Sequence, residues 1–237
     1  MTSKQPLAGR VALVAGASRG LGAAAAEALA AAGATVIVAA RTQGALEALH
    51  DRIEKAGGKA VIAPVDLTNA AESDALAGGI AGRFGKLDIL VQTAAILGTL
   101  SPISHVSPET FDRVIQTNLS AQWRLIRNFE AMLRRSDAGR AIVVTSGAAA
   151  GGLAYWAPYA ASKAGLEALV SCWAEELKQT QLRVNLLDPG VMATELRAEA
   201  FPGEDPSALR RPEAIAPMIV ELALPSCALH GQVMRAA

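Results

Sequence analysis

Cysteine is nearly absent from this sequence. Cys172 and Cys227 are the two in 237 residues, with no CxxC spacing. That excludes a disulfide framework or a zinc ribbon and fits a reducing compartment. Aromatic residues make up only 4% of the chain, and the three histidines, His50, His105 and His230, are scattered without metal-ligand spacing. No metal site is expected from such a set. An excess of one charge is also missing: Lys+Arg and Asp+Glu are 22 each. A nucleic-acid or anionic-membrane partner, which calls for a basic patch, is therefore not expected. The N-terminus lacks the apolar core of a signal peptide, so export is not suggested. The longest charge-free stretch, 141–162, is interrupted by Thr145, Ser146, Gly147, Gly151, Gly152 and Pro158. A strand, a loop and a helix start describe it better than a membrane span. With 51% hydrophobic residues the chain is too apolar to be disordered. The expectation is a soluble, cytoplasmic, single-domain protein spanning residues 1–237.

What the sequence does contain is an alternation. Short β-branched runs at 11–15, 35–39, 60–63, 87–91, 141–144 and 182–187 are separated by helical patterns at 23–32, 43–56, 69–84, 121–135 and 158–179. Asn69 with Glu72 forms a capping box, and Ser107-Pro108 opens another helix. A helix over 212–224 and a short strand near 231–234 close the chain. Strands apolar on both faces and separated by helices predict a doubly wound parallel sheet, a three-layer α/β/α architecture. The segment 193–212, with turn chemistry and little helical periodicity, reads as a lid or substrate loop.

Two motifs carry chemistry. Gly16-Ala-Ser-Arg-Gly20-Leu-Gly22 stands between the first strand and the first helix. Its spacing is GxxxGxG, but glycine still permits a tight turn and close approach to a phosphate, and the following helix N-terminus favours an anion. Tyr159-Ala-Ala-Ser-Lys163 puts a phenol and an amine one turn apart on one helix face. An ammonium near a phenol lowers its pKa, which allows Tyr159 to act as general acid or base on a carbonyl or alcohol. Ser146 follows the strand at 141–144, at the end where parallel sheets place their sites.

Together these residues resemble the short-chain dehydrogenase/reductase family, over nearly the whole chain. The resemblance implies a Rossmann-type sheet and an NAD(P)-dependent oxidoreductase acting on CH–OH or C=O groups. It implies catalytic roles for Asn118, Ser146, Tyr159 and Lys163, with Asn118 supporting a water relay. Lys163 would also bind the nicotinamide ribose. Gly16, Ser18, Arg19, Gly20, Leu21, Gly22, Arg41, Asp66, Leu67, Ala94, Tyr159, Lys163, Pro189, Gly190, Val191 and Thr194 would form the cofactor site. Asp66 would contact the adenine amine, or simply order its turn. One segment departs from the pattern: where the family has Asn-Asn-Ala-Gly, this chain has Gln92-Thr93-Ala94-Ala95, and Ala95 adds a methyl where glycine allows close approach. The 199–206 segment looks like that of a bacterial subgroup of unassigned substrate.

The second strand ends at Arg41-Thr42, with no acidic residue before Glu47. A carboxylate there would accept from a ribose 2′-hydroxyl, whereas arginine suits a 2′-phosphate. With Arg19 nearby, NADP(H) is expected rather than NAD(H). Two further readings remain: a catalytically silent NADP-binding sensor or scaffold, and a 3-oxoacyl-carrier-protein reductase docking through Arg124, Arg127, Arg134 and Arg135. Family resemblance also implies a homotetramer, with Ala164, Ala168, Val170 and Trp173 as apolar contacts. Trp123, Trp156 and Trp173 read as packing residues, Trp156 lying close enough to Tyr159 in sequence to line its pocket.

Overall fold

Aliphatic runs with no polar face can be satisfied only by burial on both sides, and both sides are covered. The computed structural model describes residues 5–236. Its strands are β1 (Val11–Ala15), β2 (Thr35–Ala40), β3 (Lys59–Pro64), β4 (Ile89–Gln92), β5 (Arg140–Val144), β6 (Arg183–Asp188) and β7 (Val233–Arg235). They form one sheet in the order β3-β2-β1-β4-β5-β6-β7, and every pairing is parallel. The helices are α1 (Gly20–Ala31), α2 (Gln43–Lys55), α3 (Ala70–Phe84), α4 (Pro108–Ile115), α5 (Ala121–Arg135), α6 (Ala157–Glu176), α7 (Glu195–Ala200) and α8 (Ala216–Ala223).

Alternation along β1 divides the core into two layers. Ala12 and Val14 pack with Leu29 of α1, Leu46 of α2 and Leu222 of α8. Leu13 and Ala15 point the other way, into Ile80 of α3, Phe129 of α5 and Leu166 of α6. This is the doubly wound, three-layer Rossmann fold expected from the sequence. The strand order reverses between β1 and β4, which opens a crevice at their carboxyl ends.

Local signals explain most element boundaries. The Asn69 carboxamide oxygen accepts from Ala71 N and Glu72 N at the start of α3. Glu72 answers by accepting from Asn69 Nδ2 and from the Asp66 N–H, at 2.8 and 2.7 Å. Ser107 caps α4 by accepting from Thr110 N. Pro64 ends β3 inside the strand rather than before it, because β3 is an edge strand where a missing N–H is tolerated.

Two segments differ from the sequence reading. The loop expected at 193–212 contains α7, whose sequence Glu-Leu-Arg-Ala-Glu-Ala consists of strong helix formers and whose N-cap, Thr194, accepts from Arg197 N. The helix expected from Pro212 starts as a separate 3₁₀ turn, and α8 begins at Ala216. A further feature had no sequence signal: α4 and α5 are joined by a π-helical turn, Gln116–Ser120.

At the amino ends of the strands lies a buried ionic cluster. Asp88, wholly inaccessible, accepts from Arg10 Nη1 (2.9 Å), Ser136 Oγ (2.5 Å) and Val11 N (2.9 Å). Burial opposes ionisation of Asp88, but the bonds from Ser136, Val11 N, Arg10 and Lys86 outweigh it and hold its carboxyl below the usual range.

Candidate active site

The crevice at the carboxyl end of the sheet is a cavity of about 910 Å³. Its floor is the glycine turn. Gly16 has φ +93°, and a Cβ there would stand 2.6 Å from Ala94 N. At Gly22 a Cβ would lie 2.2 Å from the Gly16 carbonyl oxygen. No other residue fits either position. Arg19 at the N-cap of α1 makes no side-chain capping bond, and the first turn carries no acid. The helix therefore presents free N–H groups and its positive end to the cavity, a cradle that fits a phosphate.

The departed segment fits at one cost, a buried Gln92 Oε1 with no hydrogen-bond partner. Thr93 Oγ1 donates to the carbonyls of Ala15 and Gly16, at 2.9 and 3.2 Å, and so braces the glycine turn from β4. Gln92 turns away and donates to the Gln122 carbonyl. Ala95 has no positive φ, so its methyl costs no backbone strain.

Across the cavity, α6 and the turn after β5 bring Ser146, Tyr159 and Lys163 together. The Ser146 hydroxyl accepts from Ala148 N at 3.2 Å and lies near the Tyr159 phenol. Lys163 is buried and its Nζ donates to the Val144 carbonyl at 2.9 Å. It lies 5.9 Å from the centre of the Tyr159 ring. Desolvation lowers the Lys163 pKa to about 8, with the Glu167 carboxylate opposing that fall. Glu167 in turn accepts from Thr145 Oγ1 at 2.7 Å. The Tyr159 pKa moves opposite to the sequence expectation. Burial pushes it up, the nearby Ser146 hydroxyl pulls against that, and Asp188 adds to the rise. Desolvation of the buried phenol outweighs the polar groups around it.

All residues read as cofactor-binding line this one cavity, as do Ser146, Tyr159 and Lys163. Asn118 does not. It is buried in the π-helical turn, where Oδ1 accepts from Ile96 N (2.9 Å) and Nδ2 donates to Ile96 O (2.9 Å) and Ser162 Oγ (3.1 Å). It ties the loop after β4 to the helix carrying Tyr159. Arg19 lines the cavity but forms an ion pair with Glu195 of α7. Asp66 accepts from Thr68 through both the N–H and the hydroxyl, so it does order its turn. Sequence reasoning missed Ile96, Leu153, Leu196 and Phe201, apolar residues of the wall without a motif.

Sheets wound this way carry ligands at this crevice, and a phenol held beside a buried amine there is the equipment of a nucleotide-dependent oxidoreductase. The particular family follows from comparison with known proteins. A sequence model described as short chain dehydrogenase matches residues 10–205, and the chain belongs to that family. It is 36% identical over 216 residues to the uncharacterized oxidoreductase YciK of Escherichia coli (strain K12), covering 90% of this chain and 85% of that protein. A Pseudomonas syringae structure described as a putative short chain dehydrogenase superposes with a TM-score of 0.96 at 36% identity, over 100% of this chain and 98% of that one. Another so described, from Escherichia coli CFT073 and complexed with NADPH, has a TM-score of 0.92 at 34% identity, over 98% of each chain.

Proposed function

We propose that this oxidoreductase binds NADP(H) and interconverts a carbonyl compound and its secondary alcohol, with Tyr159 as general acid and base. The observation that carries the reading is the Ser146–Tyr159–Lys163 cluster facing the glycine cradle across one cavity. NADP(H) rather than NAD(H) is supported by Arg41 at the end of β2, by the lack of a carboxylate there, and by the NADPH held in the similar Escherichia coli structure.

When bound, NADPH supplies the hydride that reduces the carbonyl carbon. Tyr159 gives its hydroxyl proton to the carbonyl oxygen, and its raised pKa keeps that proton in place until it is needed. Ser146, which lines the cavity beside Tyr159, holds the carbonyl oxygen. Lys163, bonded to Val144 O, orients toward the cofactor ribose. Asn118 acts by fixing Ile96 and α6, with a water relay passing its turn. Asp66 and Leu67 border the adenine, and Pro189, Gly190, Val191 and Thr194 the nicotinamide side. The 193–212 segment covers the substrate. The protein works in the cytoplasm, a reading supported by its two free cysteines, and as a homotetramer.

Tyr159→Phe tests the assignment. NADPH affinity should persist while turnover on a panel of ketones and aldehydes falls by ~10² or more, the scale of a positioned acid–base group. Near-normal turnover in the variant would remove Tyr159 from the mechanism.

A further inference from the structure

The wall of the cavity around Tyr159 is apolar and aromatic. Tyr159 packs in a cluster with Leu97, Trp156 and Leu196. Its ring meets Trp156 edge-on at 5.8 Å, and Trp156 leans against Phe201 at 6.0 Å. The cation of α7 that lines this end of the cavity is Arg197. It is closed off on both sides. Its guanidinium lies 3.7 Å over the Phe201 ring. Its Nε and Nη2 donate to the two oxygens of Glu204 at 2.5 and 2.6 Å. A two-pronged pair of this kind uses the fork that would otherwise grip a substrate carboxylate. The Asp188 carboxylate also lines the cavity near Tyr159, where it repels a second anion.

We propose that the substrate is an uncharged carbonyl compound bearing an apolar ring seated on Trp156, and that the Arg197–Glu204 pair excludes carboxylate-bearing analogues. This rests on the reductase reading of the same site. A carboxylate entering here either displaces Glu204 or stays desolvated against apolar side chains, and both are unfavourable. Selectivity of this form comes from rejecting the wrong ligand as much as from attracting the right one.

The test uses two probes of one ring system, 2-acetylnaphthalene and 6-acetyl-2-naphthoate. Their binding to the full chain saturated with NADP⁺ is measured by calorimetry, and NADPH consumption is followed separately. The neutral ketone should bind at least about tenfold more tightly. Glu204→Gln, which frees Arg197, should narrow that ratio, and Trp156→Ala should weaken the neutral ketone by about tenfold. Equal binding of the two probes, binding of neither, or a ratio unmoved by Glu204→Gln overturns the proposal. If the neutral ketone binds selectively but NADPH is not consumed, the reductase reading fails and the pocket assignment stands. If both probes are reduced alike, the pocket assignment fails and the reductase reading stands.

Discussion

Arg41 and Arg19 were paired by sequence position as phosphate ligands, yet their surroundings differ. Arg41 is exposed at the cavity rim, and its charge helps hold Asp66 below its usual pKa, after the bonds from Thr68. Arg19 is engaged with Glu195, in a pair whose two side chains are each 62% exposed. Such a pair contributes at most about 1 kcal/mol, so exchanging Glu195 for a phosphate costs little. Bonds to charged groups contribute ~1.5–3 kcal/mol. An exposed guanidinium belongs at the low end, so Arg41→Ala should weaken NADPH binding by roughly tenfold and barely alter NADH. Titration of both cofactors decides it, since equal losses would show that Arg41 does not read the 2′-phosphate. Tyr159 and Lys163 were legible because one helical turn fixes their spacing. The direction of the Tyr159 shift was not, because it depends on how deeply the tertiary structure buries the phenol, which no local spacing encodes.

Among the elements, β1, β2 and α2 could be read almost to the residue, since apolar runs and their spacing are local signals, whereas α1 starts at Gly20, three residues before the expected 23 and within the glycine turn. Where the reading missed, the cause was tertiary. The π-helical turn at Gln116–Ser120 exists to aim Asn118 at Ile96 and Ser162, partners from distant segments. α7 was hidden by the turn residues that follow it. The α6 faces were also divided differently from the expectation. Val170 and Trp173 are buried in the protein's own core, and Trp173 Nε1 donates to Glu130 of α5 at 3.0 Å. Ala164 and Ala168 remain exposed, and so do Phe111 of α4 and Trp123 of α5, at 43% and 47%. The apolar surface left for a second copy is thus smaller on α6 and larger on α4 and α5 than the sequence suggested.

On the scale of the whole molecule, that surface bears on assembly. Large aromatic side chains exposed on adjoining helices favour self-association, and the proposed homotetramer should sediment at close to four times the 24.4 kDa chain mass at micromolar concentration. A single species at the chain mass would reject it. The molecule is also polarised along its strands, with the chemistry at their carboxyl ends and the Asp88 cluster at their amino ends. That cluster makes folding proton-linked. The folded carboxyl has a lower pKa than the unfolded one, near ~3.9, so its stabilisation is complete above that value and drains away as pH falls through it toward the folded pKa. Asp88→Asn leaves Arg10 buried with only the exposed Asp137 as a charged partner. Urea unfolding should show a loss of about 3 kcal/mol at pH 7, the low end for breaking a buried pair, and a smaller loss as the pH is lowered below the unfolded carboxyl's pKa. A deficit of equal size at every pH would mean that Asp88 acts through shape rather than charge. With the proton linkage of Asp88, acid strips stability from the end of the sheet opposite the active site, and the enzyme's tolerance of low pH is set where no substrate ever binds.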